Sequence, residues 1–146
     1  MFVPATFEVP AALETERFRL RMLSVDDVVK DFEAVIESRE LLHATGSIWP
    51  EEGFTIEDNL TDLERHQQEF LNRKAFAYTV VTLDESRVLG CVYINPTKRG
   101  DAEAEVRMWV RQSEYDHGLD EILFQTVKAW LESTWPFAAV AYPGRE

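Results

Sequence analysis

Cysteine is nearly missing from this chain. Cys91 is the one thiol in 146 residues, so no internal disulfide can form, and a reducing cytoplasm is the expected compartment. Histidine is almost as scarce. His43, His66 and His117 are scattered, no His or Cys pair has ligand spacing, and no metal site is expected. Basic charge is in deficit: 15 Lys and Arg stand against 27 Asp and Glu, a formal net charge of −12. Nucleic acid and anionic membrane surfaces both need a basic face, so neither is an expected partner. A cationic or amine-bearing partner suits the balance better. The longest apolar run, Phe137 to Tyr142, is far too short to span a bilayer. The first residues carry neither the basic segment nor the apolar core of a signal peptide. There is no G-x-S-x-G elbow, no G-x-x-x-x-G-K-[ST] loop and no G-x-G-x-x-G after a strand. Serine hydrolase, nucleotide triphosphate and dinucleotide readings therefore drop out.

What is present reads as one globular domain. Hydrophobic residues make up 45% of the chain and charged residues 29%, enough for a real core at this length. Met1 to Ala12 carries two prolines and little periodicity, and reads as an arm before a domain over 13–146. Arg17 to Leu23 alternates strictly, with Phe18, Leu20 and Met22 on one side and Arg17, Arg19 and Arg21 on the other, which predicts a half-buried strand. Ser24 can cap a helix whose apolar face is Val25, Val28, Val29, Phe32, Val35 and Ile36. Leu41 to Gly53 is expected to be irregular. Thr55 and Asp58 form a capping-box pattern before a second helix with a face of Ile56, Leu60, Leu63, Gln67 and Phe70.

Phe76 to Leu83 and Arg87 to Asn95 flank the turn Asp84-Glu85-Ser86, and Ala102 to Arg111 alternates again. Together these predict a three-stranded antiparallel meander. Gln112 to His117 is polar. From Gly118 a third helix runs to the Trp135-Pro136 pair. Phe137 to Tyr142 then reads as a short strand buried on both faces. A strand, a crossover helix and a final strand imply a parallel pair. The fold class is α/β with a mixed, mostly antiparallel sheet and flanking helices.

Three local features carry chemistry. Gly118 opens a helix whose free N–H groups suit an anion such as a phosphate. Glu103, Glu105 and Arg107 share a strand face, where a carboxylate can serve as general base or simply join cross-strand ion pairs. The arginine row of the first strand is an anion site or a solvated face. Cys91 sits mid-strand and reads as a small core residue.

The order of elements, with Leu13-Glu14-Thr15-Glu16-Arg17-Phe18-Arg19-Leu20-Arg21, Val88-Leu89-Gly90-Cys91-Val92 and Ala104-Glu105-Val106 through Trp109-Val110, resembles the GNAT superfamily of acyl-CoA-dependent N-acetyltransferases. The likeness is to the branch of the ribosomal-protein N-terminal acetyltransferases, and it covers Leu13 to about Pro143. It implies a GNAT-like acyl-CoA N-acyltransferase fold, truncated after the fifth strand. It further implies acetyl-CoA as co-substrate, no metal, and a small amine or a peptide N-terminus as acceptor. Carried over residue by residue, Glu105 would accept the proton and Tyr142 would act as acid. Trp109, Val110 and Arg111 would pair with the pantetheine arm, and His117, Gly118, Leu119 and Asp120 would hold the pyrophosphate. At the phosphate loop only Gly118 keeps the family's pattern; Tyr115 and Asp120 depart from it, and Asp116, Asp120 and Glu121 bring negative charge. A GNAT-like binding or oligomeric interaction module that has lost CoA binding is therefore the alternative. Trp135, Phe137 and Tyr142 are expected near a homodimer contact.

Overall fold

A computed structural model describes residues 1–145. The elements run in the order β1 (Ala12–Glu14), β2 (Arg19–Met22), α1 (Val28–Glu37), α2 (Arg39–Ala44), α3 (Ile56–Leu71), β3 (Phe76–Val81), β4 (Val88–Pro96), β5 (Ala104–Val110), α4 (Gln112–Tyr115), α5 (Leu119–Thr134) and β6 (Val140–Ala141). They build one sheet in the spatial order β1-β2-β3-β4-β5-β6. Every pairing is antiparallel except the last: β5 and β6 run parallel, with Ala104 opposite Val140 and Glu105 opposite Ala141. The meander, the crossover helix and the parallel pair all form as the pattern predicts.

The sheet is covered on both faces. All six residues of β3 are buried, which is why this strand lacks polar alternation. Phe76, Tyr78 and Val80 point into a core shared with Val106, Met108, Val110 and the inner side of α5. Ala77, Val81, Val88, Cys91 and Trp109 point to the other side, against α1, α2 and α3. Cys91 is buried there as a core residue.

Residues 1–11 also join the first core. Val3 is fully buried, Phe2 stacks on Phe76 and Phe137, and Phe7 lies 5.2 Å from Trp135. The Tyr78 hydroxyl donates to the Pro10 carbonyl at 2.7 Å, and Arg73 donates to the carbonyls of Pro4 and Phe7. Phe137 and Trp135 are thus packed against the start of the same chain.

Several local expectations change. Leu41 to Ala44 is helical within α2, and Gln112 to Tyr115 is a helical turn, α4. The last strand is two residues long, and Ala138 and Ala139 are exposed, so it is not buried on both faces. The helix faces are also turned. On α1, Val29 and Ile36 face solvent while Asp31 is buried. On α3, Leu60 is exposed and Asn59 is buried, although the capping box of Thr55 and Asp58 forms. The two buried polar residues meet between the helices, where Asn59 Nδ2 donates to Asp31 Oδ2 at 3.0 Å.

The arginine row of β2 is internally neutralised. Arg21 makes a bidentate pair with Asp27, and both Arg19 and Arg21 pair with Glu85 at the tip of the β3–β4 hairpin. Those guanidinium groups are committed to the fold.

Candidate functional site

The parallel pair of β5 and β6 lasts two residues. Beyond Glu105, residues 106–110 of β5 have no β6 partner, and the strands part. The gap opens into a cleft of about 940 Å³ that runs from the start of α5 across β5 to the space beneath α1, α2 and α3. Met108, Tyr115 and Asp120 line its outer end, and Tyr93, Asn59 and Asp31 its inner end.

At the outer end, Gly118 takes a positive φ of 85°, a conformation that a side chain would strain, and caps α5. Leu119 is buried, and His117 is exposed with Nδ1 against the Ser113 carbonyl at 2.6 Å. Asp120 is paired: Arg145 grips its two oxygens at 2.8 and 2.9 Å and donates to the Met108 carbonyl at 3.3 Å. Its guanidinium also lies 5.3 Å from the centre of the Phe124 ring. Arg145 thus stands across the gap between the parted strands. The negative charge that the sequence places here is partly cancelled by a cation that only the folded chain brings alongside.

On β5 itself, Glu105 is the last residue paired to β6, and its carboxylate accepts from Arg107 Nε at 2.9 Å. Trp109 is buried and donates its indole N–H to the Tyr93 hydroxyl at 3.0 Å; Val110 is buried in the opposite core. The Arg111 amide donates to the Leu89 carbonyl. Its guanidinium is buried, donating to the Val88 carbonyl and pairing with Glu33 and Glu37. Arg111 and Ser113 hold the Glu37 carboxyl down at about 2. Tyr142 follows Ala141 and turns to the α5 side, 5.3 Å from Phe124, where burial pushes its phenol up to about 12. Glu105 shares its sheet face with Trp109, so the structure sets Glu105 and Tyr142 on opposite faces of the sheet.

The inner end of the cleft was not visible as a site in the sequence. Asp31 is 4% exposed, and burial pushes its carboxyl up to about 6. Beside it Asn59 is 1% exposed, and its Oδ1 is buried with no hydrogen-bond partner. Asp62, one turn along α3, accepts from Trp49 Nε1 at 3.2 Å. Rings complete the walls: Trp49 lies 6.3 Å from Trp109, and His66 5.2 Å from Tyr93. Burial and the neighbouring Arg65 push the His66 imidazole down to about 4, so it is neutral at pH 7. One sequence signal existed. Asp31 lies three residues after Val28 and four before Val35, and Asn59 three after Ile56 and four before Leu63. Both are polar residues placed on the apolar stripe of an amphipathic helix.

No model of a known protein family matches the sequence, and a search of curated proteins finds no match. Solved structures do match in shape. The ribosomal-protein-S5-alanine acetyltransferase from Vibrio fischeri superposes with a TM-score of 0.67 at 20% identity, over 84% of this chain and 67% of that one. A ribosomal L7/L12 α-N-protein acetyltransferase in complex with coenzyme A gives 0.65 at 15% identity, over 84% of this chain and 66% of that one. A microcin C7 self-immunity acetyltransferase in complex with acetyl-CoA and AMP gives 0.64 at 14% identity, over 86% and 69%. The chain spans about two thirds of the length of these structures. At such identities the likeness shows the fold: a mixed, mostly antiparallel α/β sheet of the GNAT acyl-CoA N-acyltransferase type.

Proposed function

We propose that this chain is an acetyl-CoA-dependent N-acetyltransferase acting on a small amine or a peptide N-terminus. The observation that carries the reading is the parting of β5 and β6 directly after Glu105, which leaves one continuous cleft from the start of α5 across β5. Acetyl-CoA enters as substrate. Its thioester lies at the fork, its pantetheine arm along β5 toward Trp109 and Val110, and its diphosphate near Gly118, Leu119 and Asp120. The amine nitrogen attacks the thioester carbon, the new C–N bond forms and the C–S bond breaks. Glu105, directly or through a water, takes the proton that the nitrogen sheds, and the departing thiolate takes one up. Such chemistry depends chiefly on holding the reactants at bonding distance, with polar donors aimed at the carbonyl. Tyr142, protonated at neutral pH, serves as donor only if its hydroxyl reaches the fork from the α5 side. The lone, buried Cys91 suits a reducing cytoplasm. Among the described residues no helix is long and apolar enough to cross a membrane. A homodimer in this reading would form along the outer edge of β6 (Val140–Ala141), because Trp135 and Phe137 are already packed by Phe2 and Phe7.

One observation favours the alternative, a GNAT-like binding module that no longer takes CoA. Arg145 spans the gap, held by Asp120 and the Met108 carbonyl. Calorimetric titration with acetyl-CoA separates the two. Saturable binding that displaces Arg145, together with thiol release in the presence of an amine, supports acetyl transfer. No heat up to millimolar acetyl-CoA supports the module.

A further inference from the structure

Several acids of the fold are matched with arginines. Asp27 faces Arg21, Glu37 faces Arg111, Glu105 faces Arg107 and Asp120 faces Arg145. Two carboxylates break the pattern. Asp31 accepts only the Asn59 amide, and Asp62 only the Trp49 indole; no Lys, Arg or His among the described residues pairs with either. The Asn59 Oδ1 is buried and has no donor. The inner chamber thus holds three oxygen acceptors that lack a cation, in walls of Trp49, Trp109, Tyr93 and the apolar Leu42 and Leu63. A buried acceptor without a donor is costly, and so is a buried carboxylate without a countercharge. Aromatic faces add attraction for a cation seated against them.

We propose that the inner chamber is a binding site for a compact primary ammonium with an apolar body. The ammonium lies at Asp31, Asn59 and Asp62, and the body rests against Trp49 and Trp109. Three N–H donors of one ammonium match the three unmatched acceptors. An alcohol or a neutral amide of the same shape supplies fewer donors and no charge. A peptide N-terminus is disfavoured, because the amide groups that follow it would meet leucine and indole walls. The chamber lies at the inner end of the cleft that reaches β5, and the binding step stands whether or not the chain transfers acetyl groups at the fork.

The probe is 2-phenylethylamine, titrated calorimetrically into the full chain, with 2-phenylethanol as the neutral isostere and a seryl-alanyl peptide as the extended alternative. The amine should bind at least tenfold tighter than either. Asp31→Asn and Asn59→Leu should each weaken it tenfold or more. Asp62→Asn, on a partly exposed residue that leaves the helix pair intact, should weaken it about threefold. The charged and titratable groups facing Asp31 are Asp27 from the turn before α1, Asp62 from α3, and Cys91 and Tyr93 from β4. None of these is a cation, so amine affinity should rise with pH as Asp31 ionises and level off above about pH 7. Equal affinity for amine and alcohol, a preference for the peptide, or no amine binding overturns the proposal. Amine binding without acetyl-CoA binding leaves the chamber standing and overturns acetyl transfer; the reverse pattern overturns the chamber alone.

Discussion

Asp31 is a carboxylate where a helix pattern asks for an apolar side chain. Its folded pKa of about 6 lies above the ordinary 3.8, because burial disfavours the charged form. Below about pH 3 the carboxyl is protonated in both folded and unfolded chains and costs nothing. As the pH rises from about 4 to 6 the unfolded chain ionises first, and stability is lost; above 6 the loss is constant. Two units correspond to about 3 kcal/mol at most. Asp31→Asn should therefore stabilise the ligand-free chain at pH 7.5 and change little at pH 4, read by urea denaturation at both. No gain at pH 7.5 would mean that the carboxylate is well solvated. Glu105 makes a different prediction. A base acts in the transition state, so Glu105→Gln should lower kcat by about 100-fold with little change in KM for the amine. Unchanged turnover by thiol-release assay would leave Glu105 as the ion-pair partner of Arg107.

At the scale of elements, the fork depends on how closely β4 and β5 approach. A Cβ built on Gly90 overlaps the Trp109 carbonyl oxygen and comes within 2.9 Å of Val110 Cα. The neighbour is backbone and cannot yield, so Gly90→Ala should cost about 2–3 kcal/mol and weaken acetyl-CoA binding by shifting β5. Denaturation and calorimetry on the same variant check both. At the start of α5, Asp120→Asn removes a charge and releases Arg145 from its bidentate grip. A freed guanidinium can turn to a phosphate, so acetyl-CoA should bind roughly three- to tenfold tighter. Weaker binding would show that the Asp120–Arg145 pair organises the site instead of closing it. These elements were legible from periodicity: the strands of the meander, the crossover helix and the cap at Thr55 all follow their patterns. The rotation of α1 and α3 was not, because Val29 and Leu60 fit an apolar stripe as well as any residue. Only the folded helix pair shows that Asp31 and Asn59 face inward and meet there.

For the whole molecule, the proposed dimer would have to use the outer edge of β6, since the arm already covers the aromatic residues beside it. With Phe2 and Phe7 seated on Phe137 and Trp135, and with the Ala138 N–H and the Ala139 carbonyl bonded to Glu103, the outer edge of β6 beside the exposed Ala139 side chain is the surface proposed for pairing. Light scattering at micromolar concentration should give a dimer mass for the native chain and a monomer for Ala139→Lys, since a charge on an edge strand blocks pairing. A monomer mass for the native chain would reject that edge as an interface. The sequence by itself determined the class of the fold, the three-stranded meander and the parallel closing pair, because periodicity and turn chemistry are local and survive without partners. It also set the acidity that favours a cationic ligand. Tertiary structure alone decided where β5 and β6 part, that Arg145 meets Asp120, and that Asp31, Asn59 and Asp62 share one chamber. Those are contacts between residues far apart in the chain, and a one-dimensional pattern holds no distances between them.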